Sequence, residues 1–497
     1  MDFLDPRKRR AHSIRLMVGY FLVAIAIGLG GWLLLKAASG YGVDPKTGGI
    51  LQNSLLFVGS RPGGADIYIN GGRQGSQTSA RLILPAGNYK LTLKKDGYRS
   101  WERNITLNEG SIARFVYPFL FPQEPRPVTI KAYSKNPPLI TQSPDRRWLL
   151  VQRPEASGGN ITFDEFDTND LTKPARALVV PSGLAATPSN SVLQEAEWST
   201  DNKHLLLRHT FSGGDEFIIF NRDVPAESIN VNKLFGVSPS EVALRNKKID
   251  ELYVFSQKSS DLQTANTANS RLTPLLKGVL AFKSNGPNII SYVTNQNAPS
   301  GQAVARIWDG NQSYDLHTFK AGSQYLVEEA QFQSHWYYVV GSNTDERVNI
   351  YKDPLDSLRN PAIARAVPLL SLNIIDATKV SFSNNTRFIA AEAGQKLAIY
   401  DLEAQSAYRY TLESPLAYAL HWMDGHRLIG TIDGTFFVTD YDSTNQQRLS
   451  PTNYSRGGFF DSAYEQLITT TTTTTESGVV LQRIDMRAGI DLPSAAR

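Results

Sequence analysis

A chain of 497 residues with 51 Lys and Arg against 47 Asp and Glu carries a formal charge of +4, and Arg7, Lys8, Arg9, Arg10 and Arg15 leave the remainder nearly neutral. With no basic face outside that tail, a nucleic-acid partner is excluded. The lack of any cysteine excludes a disulfide framework, thiol catalysis and a thiolate metal site, so stability must come from the apolar core alone. The length calls for more than one folding unit or for a large repeat. Abundant Tyr and Phe, scarce Met, and Gly, Pro, Asn, Asp, Ser and Thr spread between short apolar runs give the texture of a β-rich protein. Read with the missing cysteines, that texture points to a bacterial rather than a eukaryotic secreted protein.

The first element is a helix. Positions 16–35, from Leu16 to Leu35, hold no charge. At about 1.5 Å of rise per residue this stretch covers roughly 30 Å, the thickness of a bilayer core, whereas a signal peptide's apolar region is about 7–15 residues. Residues 1–15 read as a cytoplasmic basic tail and 16–36 as a transmembrane helix, held in membrane lipid through Leu16–Leu35. Five basic residues precede the span and Lys36 follows it, which places the C-terminal domains outside the cytoplasm. Ala37, Ala38 and Ser39 keep a cleaved signal peptide as the alternative. Ala24 with Gly28 and Ala26 with Gly30 set small residues on one side, an arrangement that permits a weak homodimer through the membrane helix. The tail is too short for a signalling domain, which disfavours a transmembrane sensor.

Residues 37–52 read as a linker, with a flexible Gly, Pro and Lys spacer at 41–49. Short apolar or alternating strands are predicted at 55–58, 66–69, 82–84, 89–93, 101–107 and 112–117, separated by Asn70-Gly71-Gly72, Ala86-Gly87-Asn88, Asp96-Gly97 and Glu109-Gly110 turns. The order Ser60-Arg61-Pro62-Gly63-Gly64-Ala65, Ile67-Tyr68-Ile69-Asn70-Gly71, Gly75, Leu84-Pro85-Ala86-Gly87-Asn88-Tyr89, Gly97-Tyr98 and Trp101 resembles a PEGA domain over 53–120. Gly stands where the family usually carries Glu, and Gln77-Thr78-Ser79 replaces its common Thr-Pro pair. The resemblance implies a surface-associated β-sandwich of bacteria and archaea without known catalysis. Tyr98 and Trp101 could stack a sugar, but a core corner of the sandwich is favoured.

Residues 121–127 form a Pro-rich linker that should be stiff. From 128 to 497 a two-part pattern recurs. Its turn half appears as Ser143-Pro144-Asp145-Arg146-Arg147-Trp148, Ser199-Thr200-Asp201-Asn202-Lys203-His204, Phe282-Lys283-Ser284-Asn285-Gly286, Ser383-Asn384-Asn385-Thr386-Arg387-Phe388 and Met423-Asp424-Gly425-His426-Arg427-Leu428. Its closing half appears as Ile219-Phe220-Asn221, Ile307-Trp308-Asp309, Ile350-Tyr351, Ile399-Tyr400-Asp401, Val438-Thr439-Asp440 and Ile484-Asp485. The spacing fits four-stranded propeller blades, which usually repeat at about 40–45 residues, and allows seven or eight of them. This half resembles TolB-like and related propellers, through Ser143-Pro144-Asp145 above all. The fold class is therefore all-β: one transmembrane helix, a PEGA-like β-sandwich and a seven- or eight-bladed β-propeller.

Candidate chemistry is sparse. His12, His204, His209, His317, His335, His421 and His426 form no helical metal pair beside a Glu, and His421 and His426 flank a turn. Asp164, Asp167, Asn169 and Asp170 are the densest acidic cluster; a calcium loop lacks its Gly and terminal Glu there, so a turn-forming role is favoured. The seven threonines from Thr469 to Thr475 could be a glycosylated stalk but read better as a hairpin arm of the last blade. No nucleophile elbow, phosphate loop or dinucleotide fingerprint occurs, so no catalytic, cofactor or metal residue is named. The reading is a membrane-anchored extracytoplasmic scaffold or binding module for envelope protein or cell-wall glycan. The alternative is an envelope hydrolase or lyase at the propeller mouth, favoured by two carboxylates, or a His and a carboxylate, converging at the channel.

Overall fold

A computed structural model describes residues 6–38, 41–43, 50–154, 160–186, 191–286, 288–360, 362, 365–416, 418–472 and 478–491. The chain divides into two compact units, Met1–Gln123 with Ala488–Arg497, and Glu124–Arg487.

In the first unit, helix α1 runs over Pro6–Ala38, and its stretch His12–Lys36 is long and apolar enough to cross a membrane. Apolar side chains cover every side of it: Met17, Tyr20, Phe21 and Leu34 all stand exposed. A helix that is apolar all round belongs inside a core or a bilayer, and none of this stretch is buried in protein.

Two four-stranded sheets follow. In one, Ile50–Val58 pairs antiparallel with Ala80–Pro85 on one edge, and on the other with Tyr41–Val43 and, in parallel, with Ile112–Phe115. The other runs Gly72–Gln77, Asp66–Ile69, Gly87–Lys94, Trp101–Leu107. Their inner faces bury Leu56, Val58, Ile67, Leu91, Leu93 and Trp101. The expected linker at 37–52 is thus corrected: 41–43 and 50–52 pair as strands, while 44–49 lie outside the described residues. Gly72–Gln77 was not expected because GRQGSQ has no apolar alternation; Ile69↔Gly72 and Tyr68↔Arg73 pairing places it at an edge.

The Pro-rich stretch is corrected at both ends. Phe119, Leu120 and Phe121 are buried, and the backbone N–H groups of Arg99 and Gln123 donate to Phe121 and Gly97 carbonyls at 2.8 and 3.0 Å. Pro127 already belongs to strand Pro127–Tyr133. The last described residues also leave the repeat region to pack on the sandwich. The Tyr98 hydroxyl accepts from the Ala488 N–H at 2.7 Å and donates to Asp491 at 2.9 Å, while Lys95 pairs with Asp491 at 3.1 Å. Gly97 has φ +79°, and a Cβ there would stand 3.2 Å from that of Ala488, so this contact needs glycine.

In the second unit, eight four-stranded sheets are formed by the described residues, at 140–179, 192–230, 241–277, 279–320, 325–373, 379–411, 421–451 and 459–485. They are blades 1 to 8. The eighth draws its fourth strand from Pro127–Tyr133, which pairs antiparallel with Val479–Asp485. This choice between seven and eight blades depends on pairing, not on spacing.

The turn half of the repeat joins the first and second strands. Ser143, Ser199 and Ser383 donate their N–H to Trp148, His204 and Phe388 carbonyls, and the residues three further on, Arg146, Asn202 and Thr386, adopt positive φ. The closing half ends the third strand. The Oδ1 of Asn221, Asp309 and Asp401 accepts N–H groups two and three residues ahead, which turns the chain into the fourth strand. Register then sets the basic residue of the turn beside that acid: Arg147 meets Asp167 at 2.9 Å and Arg387 meets Asp401 at 2.6 Å.

Second strands such as Leu149-Leu150-Val151 and Leu205-Leu206-Leu207 are buried on both faces because a neighbouring blade covers each side. Phe163 of blade 1 packs on Leu205 and Phe220 of blade 2, and Ile140, Leu149 and Phe166 of blade 1 pack on Ile468 and Leu481 of blade 8. The ring is closed by apolar contact as well as by strand pairing. Thr469–Thr472 fall in strand Gln466–Thr472, a hairpin arm against Val479–Asp485; Thr473–Thr475 lie outside the described residues.

Candidate functional site

The first strands of blades 2 and 3, of 4 and 5, and of 5 and 6 lie against one another, so first strands line the axis of the ring. A cavity of about 300 Å³ opens among blades 2, 3 and 4, walled by Glu195, Glu197, Arg208, Glu241, Lys247 and Lys283. Lys283 falls in the Phe282-Lys283-Ser284-Asn285-Gly286 copy of the turn pattern; no motif marks the others, which are single charges on strands of blades 2 and 3 and, for Lys247, on the turn Arg245–Lys247.

Blade 2 supplies two carboxylates through a bulge. Glu195 pairs with Leu207 and Glu197 with Leu206, which leaves Ala196 as the extra residue. Because Leu206 and Leu207 point to opposite faces, the bulge sends the two glutamates to opposite sides of the strand. Glu195 turns toward blade 1, where Thr141 donates to it at 2.7 Å, itself accepting from the Trp198 indole at 2.7 Å. Glu197 turns toward blade 3, accepting the Leu244 N–H at 2.7 Å and pairing with Lys247.

Opposite charges continue around the axis. Lys283 of blade 4 pairs with Glu328 of blade 5 at 2.9 Å, and Lys379 of blade 6 with Glu392 at 3.3 Å. Arg456, entering blade 8, lies within electrostatic reach of Glu195 in blade 2 and of His421 in blade 7. Burial would lower Lys283, but Glu328, Glu197 and Glu241 together hold its ammonium above the usual range. Burial pushes the carboxyls of Glu195 and Glu392 up, the surrounding blades desolvate and so raise Glu241 even though its side chain is exposed within the cavity, and burial pushes His421 down to about 4, helped by Lys379 and Arg456. Glu241 forms no ion pair with a described residue, although Glu197 raises it and Lys283 lowers it. Glu197 of blade 2, Glu241 of blade 3 and Lys283 of blade 4 thus line one cavity.

Behind this wall Glu329 is buried, accepting from the Asn285 N–H at 2.6 Å and from the Ser291 hydroxyl. Burial pushes it up to about 8 from an ordinary 4.5. The folded state then holds a proton that the unfolded chain has lost, so this group makes stability fall as pH rises from about 4.5 to about 8. Glu329→Gln mimics the protonated acid and is expected to flatten that slope in urea titrations run across the window; an unchanged slope would count against the burial argument.

The residues singled out by sequence lie elsewhere. Tyr98 and Trp101 are 2% and 1% exposed, which leaves no ring face for a sugar. Asp164 is corrected from a turn former to a buried node: it is fully enclosed in strand Thr162–Asp167, bonded by Tyr133 at 3.0 Å, Lys131 at 2.8 Å and Arg153 at 2.7 Å. Asp167 and Asp170 do shape turns, through the N–H groups of Asn169 and Thr172. His209 is buried against Glu216 at 2.8 Å, and His317 bonds Tyr351 and Asn349 at 2.7 and 3.0 Å. His421 lies on the inner strand His421–Trp422, whereas His426 packs edge-on to Phe388.

Residues 53–119 match the PEGA domain family. The sandwich is therefore a PEGA module, and the propeller follows it in the chain. No curated protein matches the chain. Among solved structures it is similar to the dihydro-heme d1 dehydrogenase NirN in complex with DHE, at 13% identity and a TM-score of 0.43 over 65% of this chain and 68% of that one. It is also similar to Kluyveromyces lactis Hsv2, at 8% identity and a TM-score of 0.36 over 70% and 98%. At such values the likenesses carry no argument; the blade architecture rests on the strand pairings themselves.

Proposed function

We propose that this protein is a single-pass, membrane-anchored binding or scaffold protein of a bacterial envelope, held in lipid by α1, with both β modules outside the cytoplasm. Its ligand surface is the axial wall. Glu197, Glu328 and Glu392 are each matched by a lysine, Lys247, Lys283 and Lys379, so the wall offers donors and acceptors in balance. Such a surface suits a polar peptide or a cell-wall glycan better than a strongly charged ligand. Capture of envelope proteins and wall fragments by the full chain in detergent tests this reading. The variant Glu241→Gln, which breaks no ion pair among the described residues, is expected to reduce capture about tenfold, the loss of one charge-assisted hydrogen bond, without lowering the melting temperature. Undiminished capture would remove the axial wall from the role.

The convergence of Glu197 and Glu241 beside Lys283 supports a second reading, an envelope hydrolase or lyase at this cavity. Under it Glu241, raised and without a direct ion pair, is the proton donor. Turnover of wall fragments by the full chain, abolished in Glu241→Gln, would establish this reading over the first.

A further inference from the structure

The PEGA sheet joined to the helix has an unpartnered outer face. Register places two rows across it: Ile83, Leu55 and Ile112 in one, Arg81, Phe57 and Arg114 in the next. Ile83 and Ile112 are 61% and 62% exposed, as is Val116 just beyond them at 64%, and both arginines are exposed as well. The Arg114 guanidinium lies 5.0 Å over the Phe57 ring. An aliphatic row beside an arginine–aromatic row is unlike an ordinary solvated sheet face, which would carry polar residues at these positions.

What lies near this face follows from the chain. Only positions 39 and 40 separate α1, ending at Ala38, from Tyr41–Val43, and that strand pairs with Ile50, Leu51 and Gln52 of the very strand that continues to Leu55 and Phe57. Three residue steps reach at most about 10 Å. The Lys36 ammonium sits 6.0 Å over the Trp32 ring, an aromatic and cationic pair of the kind found at a membrane–water boundary.

We propose that this face rests on the anionic headgroups of the bilayer that α1 enters, with Ile83, Leu55 and Ile112 dipping into the interface and Arg81 and Arg114 taking lipid phosphates. The proposal depends on α1 being retained as an anchor. Its occupant is lipid rather than protein because the sheet is tethered to the membrane and both of its exposed charges in these rows are positive.

The chain has no cysteine, so single-cysteine variants report one position each. Full-length Ile83→Cys, Ser76→Cys and Ala26→Cys are labelled with a small fluorophore and placed in nanodiscs of phosphatidylcholine with or without phosphatidylglycerol. Quenching is read from nitroxides on the headgroup and on the acyl chain. Position 83 is expected to be quenched by headgroup nitroxide about threefold more than position 76, on the other sheet, when phosphatidylglycerol is present. Adding Arg81→Gln and Arg114→Gln should erase that difference. Equal quenching at 83 and 76, with 26 quenched by the acyl-chain nitroxide, overturns the proposal and leaves the anchor standing. Equal quenching of 83 with and without phosphatidylglycerol overturns the part given to the arginines. Failure of the acyl-chain nitroxide to quench 26 overturns the anchor and the proposal together.

Discussion

Asp164→Ala is expected to destabilise the propeller by about 2 kcal/mol at neutral pH, less than the loss of a fully buried ion pair because its two cations reach solvent, but more than that of a surface pair because the carboxylate itself is enclosed. The carboxylate is fully enclosed, and its three partners come from two places: Arg153 from blade 1, Lys131 and Tyr133 from the strand that closes blade 8. Its loss leaves the buried Tyr133 hydroxyl without its acceptor and unties Lys131 and Arg153, whose heads reach solvent, where the ring closes. Burial opposes the charge on Asp164, but Arg153, Lys131 and Tyr133 outweigh it and hold the carboxyl below its ordinary 3.8. For an acid so depressed, the stabilisation is present above that ordinary value and disappears as pH falls through the lower folded one. Urea denaturation of wild type and variant should differ most at neutral pH and converge in acid. A gap that stays constant down to the acid limit would show that the carboxylate's charge is not what ties the closing strand.

Trp101→Ala is expected to destabilise the PEGA module by about 3–5 kcal/mol, comparable to the whole stability of a domain this small. Trp101 is 1% exposed, meets Tyr117 edge-on at 5.9 Å, and packs with Leu93 and Leu107 between the two sheets. A cavity of that size cannot be refilled by a sandwich with so few core residues. Hydrogen exchange should show protection lost across 53–119 and kept in the blades. Retained protection at Leu91 and Leu93 would mean that the core does not depend on this ring.

These two residues also mark how far the chain could be read without its fold. Trp101 was legible: it opens an alternating strand after a glycine turn, and its burial follows from that position. Asp164 was not, because the acidic cluster around it looks uniform in sequence, yet Asp167 and Asp170 shape turns while Asp164 is enclosed between blade 1 and the strand that closes blade 8. Gly72–Gln77 was missed for a related reason. A polar edge strand is recruited by its neighbour's free backbone groups, which leave no trace in side-chain pattern.

By itself the sequence determined the features whose cause is local: an uncharged run long enough for a membrane helix, turns that need positive φ, and the apolar strands between them. Such features depend on a residue's own backbone and on neighbours a few positions away. The tertiary structure alone decided the eighth blade, closed by a strand some 350 positions from its partner, the Lys283–Glu328 pair across two blades, and the clasp of Asp491 on Tyr98, 393 positions apart. Those contacts exist only because the blades must bury both faces and so return the chain to its start, which brings together charges that no spacing in sequence relates.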